Sequence, residues 1–188
     1  MFTLDKDLIV FDLETSGITD DASILQIGAV RFSKKGKIQK DETFNQYVIP
    51  YTEEWSEKAF EIHGLKQEFL YKNGKELDEV ITNFNKWIYQ NTSREIYLAQ
   101  WSCGFDVQML SNAHKLLNIK FPFSHRSFDI ASIVRFYIAT KGGNTSKGLF
   151  DCCKFLKIDT KEFKAHDALS DAYLTALAFE KVIDEVTT

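Results

Sequence analysis

The stretch Asp7-Leu8-Ile9-Val10-Phe11-Asp12-Leu13-Glu14-Thr15 constrains this chain more than any other. Its apolar run is short and stops at the turn signal Ser16-Gly17, so it reads as a buried β-strand rather than a helix. On a strand, alternate side chains share a face, so Asp12 and Glu14 point one way and Leu13 the other. Two like charges that close repel each other unless a cation sits between them. Hard divalent cations such as Mg²⁺ take carboxylate oxygens of this kind. A fold that accommodates this strand must bury it and must bring further ligands to the end that carries the two acids.

Bulk properties bound the class. A chain of 188 residues suits one domain spanning 1–188, and 44% hydrophobic with 27% charged residues is the balance of a soluble globular protein. No apolar run approaches the length of a membrane span, and the N-terminus lacks the basic start and apolar core of a signal peptide. The three cysteines, Cys103 and the adjacent Cys152 and Cys153, form neither a disulfide framework nor a zinc spacing. They read as buried free thiols of a cytoplasmic protein. The net charge of −4 argues weakly against a nucleic-acid binder, but the distribution is uneven. Between Lys141 and Lys164 six lysines face three acids, and Lys34, Lys35, Lys37 and Lys40 form a second cluster. Each could steer a phosphate backbone or be an ordinary solvated surface.

The pattern along the chain is that of an α/β domain. Leu8 to Leu13, Ile24 to Phe32 and Thr43 to Ile49 read as three strands of an antiparallel meander, with a turn at Ser33–Lys37 and a stop at Pro50. The period then changes to that of helices, with a short one over Glu53–Ile62 and a longer one carrying Leu77, Val80, Ile81, Phe84, Trp87 and Ile88. Short strands at Ile96–Ala99 and Ser127–Asp129 alternate with helices over Val107–Leu117 and Ile130–Ile138. Helices over Lys147–Leu156 and Ala168–Val186 follow. Strands first, then alternating helix and strand, predicts a mixed sheet flanked by helices.

Further candidate ligands stand at the ends of these elements. Asp106 follows the strand Ile96–Ala99, where sites collect in open α/β sheets, although a helix N-cap would explain it equally well. Asp171 lies in the Ala- and Leu-rich stretch Ala168–Leu177, where an unpartnered charge is costly; a first-turn position in the helix dipole is the competing explanation. His166 is five residues earlier. On one helix the two would diverge by about 140°, so His166 belongs on the loop before it, able to reach a common site. A histidine beside carboxylates suits general-base work, and a capping or solvent-exposed role is the plain alternative.

In order, Asp12-Leu13-Glu14-Thr15, Phe105-Asp106 and His166 with Asp171 resemble the motifs of the DEDDh exonucleases, the DnaQ-like branch of the ribonuclease-H-like superfamily. The resemblance runs along nearly the whole chain. Ile24–Val30 is similar to the family's second strand, Phe60-Glu61-Ile62-His63-Gly64-Leu65 to its "hGI" segment, and Ala165–Ala172 to its third motif. One stretch departs. Trp101-Ser102-Cys103-Gly104 stands where members often carry His-Asn, which leaves the shape of the substrate groove open.

The resemblance implies a ribonuclease-H-like fold and 3′–5′ removal of nucleoside 5′-monophosphates from single-stranded DNA or RNA. It implies two divalent ions, Mg²⁺ first and Mn²⁺ as a substitute, held by Asp12, Glu14, Asp106 and Asp171, with His166 as general base. Leu13 and Thr15 would flank the 3′-terminal nucleotide, assisted by the backbone near Ser16. Phe105 and His63 offer faces for base stacking, against a packing role for the first and a helix-end contact for the second. The other readings are an inactive binding or scaffolding module of this fold and an endonuclease that cuts internally. Action alone, as a homodimer or docked to a polymerase stays open, as does DNA against RNA.

Overall fold

The computed structural model describes residues 2–90, 96–102, 104–124 and 126–187; Cys103 of the departing stretch lies outside them. Strand β1 (Leu8–Thr15) pairs antiparallel with β2 (Ile24–Ser33), which pairs antiparallel with β3 (Lys37–Tyr47). On its other edge β1 pairs parallel with β4 (Tyr97–Gln100), and β4 with β5 (Ser127–Asp129). The sheet order is β3-β2-β1-β4-β5, a mixed five-stranded sheet with β1 at its centre.

Helices cover both faces, and the alternation along β1 decides which residues meet which layer. Leu8 and Val10 join a core with Val30, Phe32 and the helices α5 (Ile130–Thr140), α6 (Leu149–Phe155) and α7 (Ala168–Thr187). Ile9, Phe11 and Leu13 join the opposite core, with Ile27, Phe44 and the helices α3 (Leu77–Tyr89) and α4 (Phe105–Leu116). Each fully buried side chain of this size contributes about 1.5–3 kcal/mol, so both layers hold β1 firmly. Asp12 and Glu14 continue the parity of Leu8 and Val10, where the covering helices end.

Two short helices, α1 (Glu57–His63) and α2 (Gln67–Asn73), join the meander to α3. The first begins later than its expected start at Glu53, because the Ser56 hydroxyl accepts from the Ala59 N–H and caps it there. The second was not expected: of its residues only Leu70 is buried, so it lacks an apolar stripe. Strand β3 begins at Lys37, six residues before the expected start at Thr43. Its first half is a polar edge with Ile38 as its one buried residue, so hydrophobic alternation there is faint. The pairing slips between Val30 and Arg31, and Glu42 in the slipped segment meets the buried Arg31 at 2.6 Å. Among the described residues, no helix is long and apolar enough to cross a membrane.

Candidate active site

A cleft of about 550 Å³ opens at the carboxyl end of β1, lined by Asp12, Glu14, Trp101, Phe150, His166 and Asp171, among others. The acids arrive on three elements and the histidine on a loop. Asp12 and Glu14 come from the last turn of the β1 pleat, with Glu14 buried and Asp12 retaining a little surface toward the cleft. Asp106 comes from the first turn of α4, where Gly104, at φ 99°, makes the entry that a side-chain-bearing residue would resist. Asp106 is thus inside the helix rather than its N-cap. Asp171 comes from the first turn of α7. His166 stands on the loop just before that helix, as its spacing required.

This loop is held by an unusual set of contacts. His166 has φ 57°, a left-handed conformation that costs a non-glycine residue about 1–2 kcal/mol. It aims the His166 N–H at Asp171 Oδ2, 3.2 Å away. Asp167 caps α7 by accepting from the Ser170 N–H at 3.0 Å. Gln26, fully buried in β2, grips the loop from beneath. Its Nε2 donates to Asp167 Oδ2 and to Asn45 Oδ1, both at 3.0 Å, and its Oε1 accepts from the Ala168 N–H at 3.2 Å. Two residues on, Gly28 lies so close under Ala168 that a Cβ there would stand 2.1 Å from the Ala168 carbonyl carbon. The start of α7 is therefore set directly onto β2.

The electrostatics are those of crowded acids. Burial pushes the Asp12 carboxyl well above the usual carboxylate range, and Asp106, Glu14, Asp171 and Asp167 add to the rise. Glu14 is pushed up to about 8, by burial first and then by Asp171, Asp106 and Asp167, with Lys164 opposing. Burial raises Asp106 to about 7 and Asp171 to about 6, the latter opposed by the N–H and imidazole of His166. Glu14, His166 and Asp171 each bring a ligand atom within 4.8 Å of the others. Asp171 Oδ1 is buried and has no hydrogen-bond partner among the described residues. A buried carboxylate oxygen left unpaired, among acids that raise one another, is what a hard divalent cation would satisfy. The donor set fits Mg²⁺ or Mn²⁺.

The expected substrate contacts fall differently. Leu13 lines the cleft, while its side chain packs in the α3–α4 core. The Thr15 hydroxyl donates to the Gly17 carbonyl at 2.7 Å. Ser16 is buried; its N–H bonds Ser23, its carbonyl accepts from Ser56, and its hydroxyl accepts from the Ser23 N–H. Those bonds shape the turn and leave the Ser16 backbone already paired. His63 is buried at the end of α1, its Nδ1 accepting from the Leu65 N–H at 2.9 Å. Burial lowers its pKa, with His166 and Lys164 adding to the fall and the Thr15 backbone opposing it. Phe105 is 37% exposed and does not pack in the core. Trp101, of the departing stretch, forms a wall of the cleft, with the Arg135 guanidinium 5.6 Å from its ring centre. Gln26, Asp167 and Phe150 carried no role in the sequence reading. Gln26 was detectable only as a polar residue within the apolar run Ile24–Val30.

Residues 9–179 match the family model RNase_T, described as exonuclease. This chain belongs to that family. It is a DnaQ-like 3′–5′ exonuclease, with the ribonuclease-H-like fold expected of it. The 3′-5′ DNA exonuclease Cap18 of Escherichia coli is 27% identical over 97% of this chain and 95% of its own length. The DNA polymerase III subunit epsilon of Rickettsia typhi is 30% identical over 89% of this chain and 70% of its own. Among solved structures, the nuclease domain of 3′hExo, a DEDDh family member bound to rAMP, superimposes with a TM-score of 0.75 at 17% identity, covering 96% of this chain and 92% of that one. Cell-death related nuclease 4 gives a TM-score of 0.81 at 20% identity, and this chain, 96% covered, spans 64% of it. The last two likenesses are those of fold.

Proposed function

We propose that the chain, acting as one domain over residues 1–188, removes nucleotides singly from the 3′ end of single-stranded DNA and releases nucleoside 5′-monophosphates. The observation that carries this reading is the cleft itself: Asp12, Glu14 and Asp171 line it beside a histidine held in a left-handed turn, and Asp106 on α4 is near enough to raise the Asp12 and Glu14 carboxyls. Asp12, Glu14, Asp106 and Asp171 would hold two divalent ions, Mg²⁺ or Mn²⁺. Such ions supply Lewis-acid stabilisation of charge on the phosphate and its departing oxygen. His166 stands at the cleft and takes the proton of the attacking water. The Asp171 carboxylate accepts the His166 N–H and so ties the base to the ligand set. Leu13 and Thr15 border the 3′-terminal sugar, and the exposed Phe105 ring offers a face to a base. DNA is favoured over RNA by the near full-length likeness to a DNA exonuclease.

A time course on 5′-labelled single strands of DNA and RNA, with Mg²⁺ or Mn²⁺, tests this. A ladder that shortens from the 3′ end, faster on DNA, supports it. Cleavage of a circular single strand contradicts it, and an inert wild type would favour the binding-module reading.

A further inference from the structure

A second cleft, of about 290 Å³, adjoins the catalytic one and is lined by Ile138, Asn144, Lys147, Asp151, Lys154 and Phe155. Asp151 lines both clefts, and Gly148 to Phe150 of the catalytic cleft are the chain neighbours of Lys147 and Asp151. Along α6, Phe150 and Lys154 are four residues apart, as are Asp151 and Phe155. Each pair therefore shares a stripe of the helix, and the step is about 6 Å.

The surroundings are cationic in a chain of net charge −4. Lys147 and Lys154 are exposed at the cleft. Arg135 donates to the Lys147 carbonyl at 3.4 Å and lies over the Trp101 ring, so one guanidinium links the walls of the two clefts. Lys141 follows at the end of α5, its Nζ 5.3 Å from the Tyr137 ring centre. Asp151 is the one acid among these groups. Phe155 is 43% exposed although large and apolar. Its ring is backed by Gly143, where a Cβ would come within 2.6 Å of it. A partly exposed aromatic ring that shares a cleft with two lysines is the set of groups that takes a base and its flanking phosphates in single-strand binders.

We infer that this second cleft is the binding track for the nucleotides immediately 5′ of the one being removed. The inference rests on the exonuclease reading. A strand whose 3′ end occupies the catalytic cleft leaves it in the 5′ direction, and the Gly148–Asp151 junction leads directly to Lys147, Lys154 and Phe155. The two lysines meet phosphates, and Phe155 stacks on a base.

Two substrates separate the track from the chemistry. Thymidine 5′-(4-nitrophenyl phosphate) fills the catalytic cleft alone, whereas a long single strand fills both. Lys147→Ala/Lys154→Ala should raise KM for the long strand about tenfold, with kcat and nitrophenyl-ester cleavage unchanged. In EDTA, where nothing turns over, the salt dependence of long-strand binding should weaken by about 1.4 in log–log slope, roughly 0.7 for each phosphate no longer neutralised by a lysine. Phe155→Ala should weaken that binding about tenfold. Phe155→Leu, which keeps the packing on Gly143, should weaken it nearly as much. Unchanged long-strand binding in the lysine and phenylalanine variants overturns the track, as does an equal loss on both substrates. A wild type that cleaves neither substrate overturns the exonuclease reading, while the binding measurement in EDTA still decides the track.

Discussion

At the scale of single residues, Asp12, Asp171 and His166 each have a separate test. Asp12→Ala or Asp171→Ala should abolish turnover. Asp12→Ala should not lower the melting temperature of the metal-free protein, because it removes a carboxylate that burial and its neighbours already disfavour, whereas Asp171→Ala also removes the acceptor of the His166 N–H. Near-normal rates in either variant would refute the ligand assignment. His166→Ala should lower kcat by about 10²–10⁴-fold with little change in KM. The left-handed turn adds a second readout at this position. His166→Gly should be as inactive as the alanine variant yet more stable by about 1 kcal/mol, since glycine adopts φ 57° without the Cβ clash. Equal stability of the two would argue against strain in the loop.

At the scale of elements, the contact between β2 and α7 decides whether the site is assembled. Gln26→Glu keeps the acceptor for the Ala168 N–H but sets a carboxylate against Asp167. Activity should fall by about 10–100-fold, the cost of losing a partner that orients a ligand-bearing segment. Adding Asp167→Asn restores a donor–acceptor pair with its polarity reversed and should recover most of the loss. Steady-state rates and thermal melts on the three variants check this, and a double variant no better than the single would contradict it. Gly28→Ala, by pushing Ala168 outward, should destabilise by about 1–3 kcal/mol and reduce activity with it.

This scale also shows what could be read from the sequence and what could not. The parity of Leu8, Val10, Asp12 and Glu14 against Ile9, Phe11 and Leu13 was legible because a strand covered on both faces repeats every two residues. The start of α7 was legible because a histidine and an aspartate five residues apart cannot share a helix face. Strand β3 was read six residues short, because its first half is an edge with one buried side chain, and α2 was missed because it buries Leu70 alone. The Gln26 grip on Asp167 joins residues 141 positions apart, a separation no local pattern reports. The Ser16 pairing within its turn, N–H to Ser23 and carbonyl from Ser56, likewise joins segments that no local pattern connects.

At the scale of the whole molecule, the acids make stability depend on pH and on metal. Glu14 titrates at about 8 in the fold, against an ordinary value of 4.5. Between those values the folded chain holds a proton that the unfolded chain has released. Metal-free stability is therefore greatest on the acidic side of this window and falls as pH rises through it toward about 8. Asp106 and Asp171 act in the same direction over lower ranges, ending at about 7 and about 6. Thermal melts in EDTA should decline from pH 5 to pH 8. Mn²⁺ should restore stability most at the alkaline end, where the carboxylates are ionised and bind it best. A metal-free melting temperature that rises across this range would contradict the carboxylate cluster.

The central claim is that these acids and His166 together hydrolyse the last phosphodiester of a 3′ end. The most direct measurement follows 5′-labelled single-stranded DNA with Mg²⁺, comparing wild type with Asp12→Ala and His166→Ala. The account expects a ladder shortening one nucleotide at a time from the 3′ end in wild type, none with Asp12→Ala, and a greatly slowed ladder with His166→Ala. Equal ladders from all three proteins, or internal cuts, would contradict it.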